Sequence, residues 1–274
     1  MLFRSYTIPG LIEGVPHYTD HRDSPYSIAH YLNRLYHTFV LYADDPRFFV
    51  GSTALETHRI CYTIEMPNID HKNAKNALRK TLKAILKAMD EESRDSLSLR
   101  AVENFMTLPE YKRAAIVLAF LSMKEELRTK ALIDGALTEG KVVAVPRIGF
   151  SRTEGDYLEF IPLTLDYESW PLDRFGIPEP PEAAQGLSLE EMGSSRVVVA
   201  VPGLAFDLSG GRMGRGKGYY DRFLAKARAA KANYGGFLAV CGLCFESQIV
   251  GRVPMGPWDQ RIEFLATETA LRKL

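Results

Sequence analysis

Val201-Pro-Gly-Leu-Ala-Phe-Asp-Leu-Ser-Gly-Gly-Arg-Met-Gly-Arg-Gly-Lys-Gly-Tyr-Tyr-Asp-Arg222 is the stretch on which the fold turns. It is preceded by Arg196–Val201, an apolar run of the kind found in strands covered on both faces. It is followed by a helical pattern from about Tyr219 to Ala230. Between them lie Gly210, Gly211, Gly214, Gly216 and Gly218, interleaved with Arg212, Arg215 and Lys217. Glycines let backbone N–H groups converge on a small anion, and the cations add charge-assisted hydrogen bonds. A helix N-terminus just beyond the loop adds its dipole. Residues 211–217 fit Gly-x-x-x-x-Gly-Lys, but Gly218 stands where a P-loop needs Ser or Thr for magnesium. A P-loop is therefore rejected, and Asp221 is the expected magnesium ligand.

Outward from this loop the chain alternates helix and strand patterns. From Ala74, Leu78, Leu82, Ile85, Leu86 and Met89 form one apolar helix face. Leu97, Val102 and Phe105 mark a second helix, and Ala114–Leu121 a buried strand. Thr129 is the expected cap of a helix running to Gly140. Further strands are expected at Val142–Val145, Tyr157–Ile161, Phe237–Leu243 and Phe264–Thr267. The proline-rich residues 171–186 read as an ordered loop. This order predicts a three-layer, Rossmann-like α/β domain with a mainly parallel sheet.

Residues 1–72 read differently from residues 73–274 and are expected to form an N-terminal extension. All six histidines lie there. The extension has a helix candidate at Ser27–Tyr36, an apolar run at Thr38–Tyr42, another at Phe48–Val50, and a strand signal from Ile60 to Met66. Its aromatics are expected to pack as structure. His17 and His21 have a spacing that could ligate zinc on a helix, but Pro16 and the nearby Asp and Thr residues favour a loop.

With 46% hydrophobic and 25% charged residues, the 274-residue chain has an ordinary globular composition. Zero formal net charge argues against broad phosphate neutralisation and hence against nucleic-acid binding. No apolar run reaches the ~20 residues needed to span a bilayer. Three cysteines do not make a disulfide framework, which points to a reducing cytoplasm. Cys241 and Cys244 have CxxC spacing inside an apolar strand pattern, where residues three apart face opposite sides. They read as core residues.

A second basic feature is Lys75-x-x-x-Arg79, two side chains on one helix face able to clamp a polyanion, with Lys83 and Lys87 continuing the stripe. Taken with the glycine loop, this resembles the 5-formyltetrahydrofolate cyclo-ligase family. Four blocks match in order: Lys75-Asn-Ala-Leu-Arg79; Phe120-Leu-Ser-Met-Lys-Glu-Glu126; Pro202-Gly-Leu-Ala-Phe-Asp207 continuing through Arg212–Arg222; and Gln248, Val253-Pro254, Asp259 and Thr267-Glu268. Pro146-Arg147 and Gly176-Ile-Pro-Glu-Pro180 sit where the family has similar short motifs.

The resemblance implies ATP as co-substrate and Mg²⁺ as metal. Lys75 and Arg79 would hold ATP phosphates. Arg212, Gly214, Arg215, Gly216, Lys217, Gly218, Tyr219 and Tyr220 would wrap the triphosphate, with Arg215, Lys217 and Tyr219 closest to the chemistry. Leu121, Glu126, Phe175, Arg215 and Tyr219 would meet the folate, while Asp221 and Asp259 would carry the metal. Trp258 departs from the pattern, since many members have His before the metal-site Asp. The implied reaction cyclises 5-formyltetrahydrofolate to 5,10-methenyltetrahydrofolate with ATP cleavage, in a monomer or a homodimer. Two alternatives are a related nucleotide-binding protein with another substrate and a non-catalytic scaffold. Retention of Glu126, Phe175, Asp221 and Asp259 argues against the first, and that of Lys217 and Asp221 against the second.

Overall fold

The computed structural model describes residues 38–42, 61–65, 71–153, 155–164, 166–173 and 176–274. The chain divides into two compact units, residues 1–71 and 72–274. In the first, β1 (Thr38–Tyr42) and β2 (Cys61–Glu65) pair antiparallel, with Thr38 opposite Glu65 and Tyr42 opposite Cys61. The expected helix at 27–36, the run at 48–50, and His17 and His21 lie outside the described residues.

The second unit is built on a seven-stranded sheet. Its strands are β3 (Ile116–Leu118), β4 (Val142–Ser151), β5 (Gly155–Pro162), β6 (Arg196–Val201), β9 (Phe237–Leu243), β10 (Phe264–Ala266) and β11 (Leu271–Lys273). They lie in the order β11-β10-β9-β6-β3-β4-β5. The central five are parallel, and only the edge pairs β4/β5 and β10/β11 are antiparallel. Between β6 and β9 come a small antiparallel pair, β7 (Ala205–Phe206) and β8 (Arg212–Met213).

Alternation along the central strands explains their apolar runs. Val198 and Ala200 of β6 point into one core with Leu82, Val102, Phe105, Leu132 and Ile133. Val197, Val199 and Val201 point into the other with Met192, Phe223 and Leu224. Helices α1 (His71–Ala88), α2 (Glu91–Met106) and α4 (Lys130–Thr138) supply the first layer, and α5 (Leu189–Ser194) and α6 (Tyr219–Tyr234) the second. The short α3 (Pro109–Arg113) leads into β3. Among the described residues no helix is long and apolar enough to cross a membrane.

Several expectations are corrected. The strand over Ala114–Leu121 shortens to Ile116–Leu118, because the chain turns away after β3 into the segment bearing Glu126. Thr129 precedes α4 but does not cap it. Its hydroxyl donates to the Phe120 carbonyl and pairs with Ser122, binding that turn instead. Gly140 does adopt the left-handed conformation after α4, at φ 73°. Ile85 is exposed, so the buried face of α1 is narrower than its spacing suggests. Cys241 and Cys244 fall in opposite cores, unbonded, and burial pushes both thiols well above their usual range. The 171–186 loop is tied to the β4–β5 hairpin by Arg147. That side chain bonds Glu159 at 3.0 Å, Ala184 O at 2.8 Å and the Pro181 carbonyl.

Candidate active site

The glycine loop leaves the C-terminal end of central β6, where open α/β sheets bind their ligands. Its first half is shaped by Asp207. One carboxylate oxygen accepts from Ser209 N (2.8 Å), Ser209 Oγ (2.7 Å) and Gly211 N (2.8 Å), and the other from Val253 N (2.7 Å). Burial opposes the charge on Asp207, but these donors outweigh it and hold the carboxyl below its usual range. A Cβ at Gly211 would come within 2.3 Å of Asp207, so only glycine fits there.

Asp207→Asn should cost about 1–3 kcal/mol, because the amide cannot accept at both oxygens and one buried donor loses its partner. The lowered carboxyl contributes stability that is present above about pH 4 and lost as pH falls through the depressed native value. Urea melts should therefore separate parent and variant at neutral pH and draw them together on acidification. Equal stability at neutral pH would refute the role.

The second half of the loop meets α1. The Arg79 guanidinium lies on Gly216, where an added Cβ would sit 3.4 Å from it, and Arg79 Nε donates to Gly214 O at 3.2 Å. Gly216 and Gly218 have φ of 107° and 67°, a conformation strained for any side-chain-bearing residue. α6 starts at Tyr219, so its N-terminus follows the loop directly and its first turn holds Asp221. Lys83 and Lys87 are exposed, and only Lys75 and Arg79 of the basic stripe are drawn inward.

Each cation but one faces an acid or a carbonyl. Lys75 Nζ pairs with Asp259 Oδ2 at 2.7 Å. Arg212 is buried, bonding Asp221 Oδ1 at 3.0 Å and Pro202 O at 3.2 Å, with Tyr220 alongside. Arg215 grips Glu126 Oε1 through two nitrogens, at 2.9 and 3.2 Å, while Met123 N donates to Glu126 Oε2 at 3.1 Å. Lys217 is exposed and has no partner among the described residues.

Tyr219 Oη donates to Asp156 Oδ2 at 3.2 Å, and Arg222 stacks over the Tyr219 ring. Tyr220 packs edge-on against Phe160, and its hydroxyl is buried without a partner; burial raises that phenol far above its usual range. Leu121 is partly buried against the core beyond β3, and Phe175 lies outside the described residues.

Gln260 N donates to Asp221 Oδ1 at 3.0 Å, which brings Asp221 and the neighbouring Asp259 into one region. Burial opposes charge on Asp259, but the Gly256 N–H and Lys75 ammonium hold it below the carboxylate range. Each carboxylate has one oxygen committed to the protein and one without a described partner. No group of three or more His, Cys, Asp or Glu side chains suited to a metal occurs among the described residues. A pair of acids with spare oxygens beside an anion loop fits a hard cation shared with phosphate, as Mg²⁺ commonly is. Asp207 and Asp156 were missed as site-shaping residues. Asp207 starts an Asp-x-Ser-Gly-Gly run legible as a turn, whereas Asp156 is 63 residues from Tyr219 and carries no local signal.

Fold and loop together define an open-sheet α/β protein with a cationic anion cradle at the C-terminal strand ends. The profile of the 5-formyltetrahydrofolate cyclo-ligase family matches residues 71–268. A probable 5-formyltetrahydrofolate cyclo-ligase of Schizosaccharomyces pombe is 32% identical over 73% of this chain and 98% of its own length. The mouse 5-formyltetrahydrofolate cyclo-ligase is 28% identical over 72% of this chain and 95% of its own. The solution structure of Aquifex aeolicus 5,10-methenyltetrahydrofolate synthetase superposes with a TM-score of 0.58 at 31% identity, covering 73% of this chain and 92% of that one. The chain belongs to the 5-formyltetrahydrofolate cyclo-ligase family and is an enzyme of the ligase class.

Proposed function

We propose that this chain cyclises 5-formyltetrahydrofolate to 5,10-methenyltetrahydrofolate at the expense of ATP. The formyl oxygen attacks the γ-phosphorus of ATP and ADP leaves. N10 then attacks the activated formyl carbon and loses its proton. Finally the C–O bond breaks, inorganic phosphate departs, and N5 becomes the iminium nitrogen. The observation that carries the reading is the meeting of α1 with the glycine loop, Arg79 on Gly214 and Gly216, with Lys75 at Asp259.

Phosphoryl transfer asks chiefly for positioning and charge neutralisation. Lys75, Arg79, Arg212 and Lys217 would neutralise the triphosphate over the loop N–H groups of Gly214, Gly216 and Gly218, with Tyr220 packed beneath. Arg215, steadied by Glu126, and Tyr219, steadied by Asp156, would lie against the formyl end of the folate, with Leu121 and Phe175 lining its site. Asp221 and Asp259 would hold Mg²⁺, whose contribution is to neutralise phosphate charge. The family match spans this chemistry, which supports the cyclo-ligase reading over a change of substrate. The compartment proposed is the cytoplasm, on the low cysteine content of the chain.

The test is absorbance of methenyltetrahydrofolate formed from 5-formyltetrahydrofolate with Mg-ATP. Turnover that stops without ATP is expected, and no product from folded protein would overturn the reading. We further propose that the catalytic apparatus is confined to the second unit. A chain beginning at Asp70 keeps the whole of α1 and should retain the activity. A folded but inactive product would place part of the site in residues 1–69.

A further inference from the structure

α6 holds the segment carrying Asp259 at two points. At its first turn, Asp221 Oδ1 accepts from Gln260 N at 3.0 Å. About two helical turns further along the same face, Arg228 reaches the same segment with three hydrogen bonds. Its Nη1 donates to Gln260 Oε1 at 2.8 Å, and its Nη2 to Arg261 O at 2.6 Å and Glu263 Oε1 at 2.5 Å. Glu263 is itself anchored, because Val240 N of β9 donates to its other oxygen at 2.8 Å. Arg228 therefore ties helix, segment and sheet together just beyond Asp259.

We infer that Arg228 is a positioning residue that sets Asp259 against Asp221 and thereby tunes the affinity of the acid pair for a divalent cation. The inference rests on the reading of these two acids as the magnesium ligands. Without Arg228, residues 259–263 keep the Gln260–Asp221 bond and the backbone bonds of Ile262 N to Gly210 O and Glu263 N to Val240 O, both at 3.0 Å. They lose the fork that fixes the Gln260 side chain and the Arg261 carbonyl against α6. A guanidinium suits the task because its planar fork serves three acceptors at once, which an ammonium on a flexible stem does not. The Arg228–Glu263 pair is partly open to solvent, with side chains 30% and 44% exposed, so its contribution to global stability is small and its effect is local.

The experiment measures Mn²⁺ binding to the full-length protein in the presence of a non-hydrolysable ATP analogue, by calorimetry or electron paramagnetic resonance. It compares the parent, Arg228→Leu, Arg228→Lys and Asp259→Asn. Arg228→Leu should weaken Mn²⁺ about tenfold, the scale of lost outer-shell support at metal sites. The Mg²⁺ concentration for half-maximal turnover should rise in step, with KM for the folate unchanged. Arg228→Lys, able to pair with Glu263 but not to serve all three acceptors, should fall between and guards against a misfolded leucine variant. Mn²⁺ affinity within about twofold of the parent in both Arg228 variants, alongside lost binding in Asp259→Asn, would overturn the positioning role alone. Unchanged binding in Asp259→Asn would overturn the metal assignment, and Arg228's role with it.

Discussion

Asp221→Asn should lower turnover by about 10²-fold, the scale of losing one preorganised charge-stabilising group, while leaving the protein folded. Asparagine is the informative replacement. Asp221 Oδ1 accepts from Arg212 and from Gln260 N, and an amide oxygen can keep both bonds. What disappears is the negative charge on the oxygen that has no described protein partner. Alanine would do more damage, because Arg212, only 5% exposed, would lose a hydrogen-bond acceptor as well as its counter-charge. Removing one partner of a buried pair costs about 3–5 kcal/mol, and the hydrogen bonds that the amide keeps should recover part of it, so Asp221→Ala should lower the Tm more than Asp221→Asn does. Steady-state rates over a Mg²⁺ titration, with a melting curve for each variant, separate the two effects. Near-parental turnover of Asp221→Asn at ordinary Mg²⁺ would remove Asp221 from the metal site.

Lys217→Met should act almost entirely on chemistry. Lys217 is exposed and has no partner among the described residues, whereas Lys75, Arg212 and Arg215 all face acids. Losing it therefore strands no acid. Stability should change by no more than about 0.5 kcal/mol, as for surface positions generally. A cation with no counter-ion to displace is the least hindered to meet an incoming triphosphate. We expect kcat to fall by about 10²-fold, as for loss of a transition-state donor, with a rise in KM for ATP and little change in KM for the folate. If ATP binding and turnover both survive, Lys217 points to solvent throughout the cycle and neutralising the triphosphate falls to Lys75, Arg79 and Arg212.

The glycine loop, its cations and the acid that follows were legible because they sit together in the chain. Glycine spacing and alternating charge are local properties that need no fold to be seen. The parallel sheet was legible for a related reason: strands buried on both faces, such as Arg196–Val201, write uninterrupted apolar runs. Short elements were not. α3, α5 and β11 are too brief to show a period, although the Ser188/Glu191 capping box of α5 is a signal in hindsight. The fate of Thr129 shows the same limit, since its hydroxyl had a local role available and took a tertiary one.

From the sequence alone came the chemical inventory of the site and the α/β order that presents it at a strand end. Only the tertiary structure decided which acid each cation faces: Lys75 with Asp259, Arg215 with Glu126, Arg212 with Asp221. It also decided that Asp156 steadies Tyr219, that Asp207 reaches Val253, and that Arg228 holds the segment behind Asp259. Most of these pairs join residues far apart in the chain. Their geometry comes from how helices and loops pack on the sheet, and side-chain identities along a chain carry no direct record of that packing.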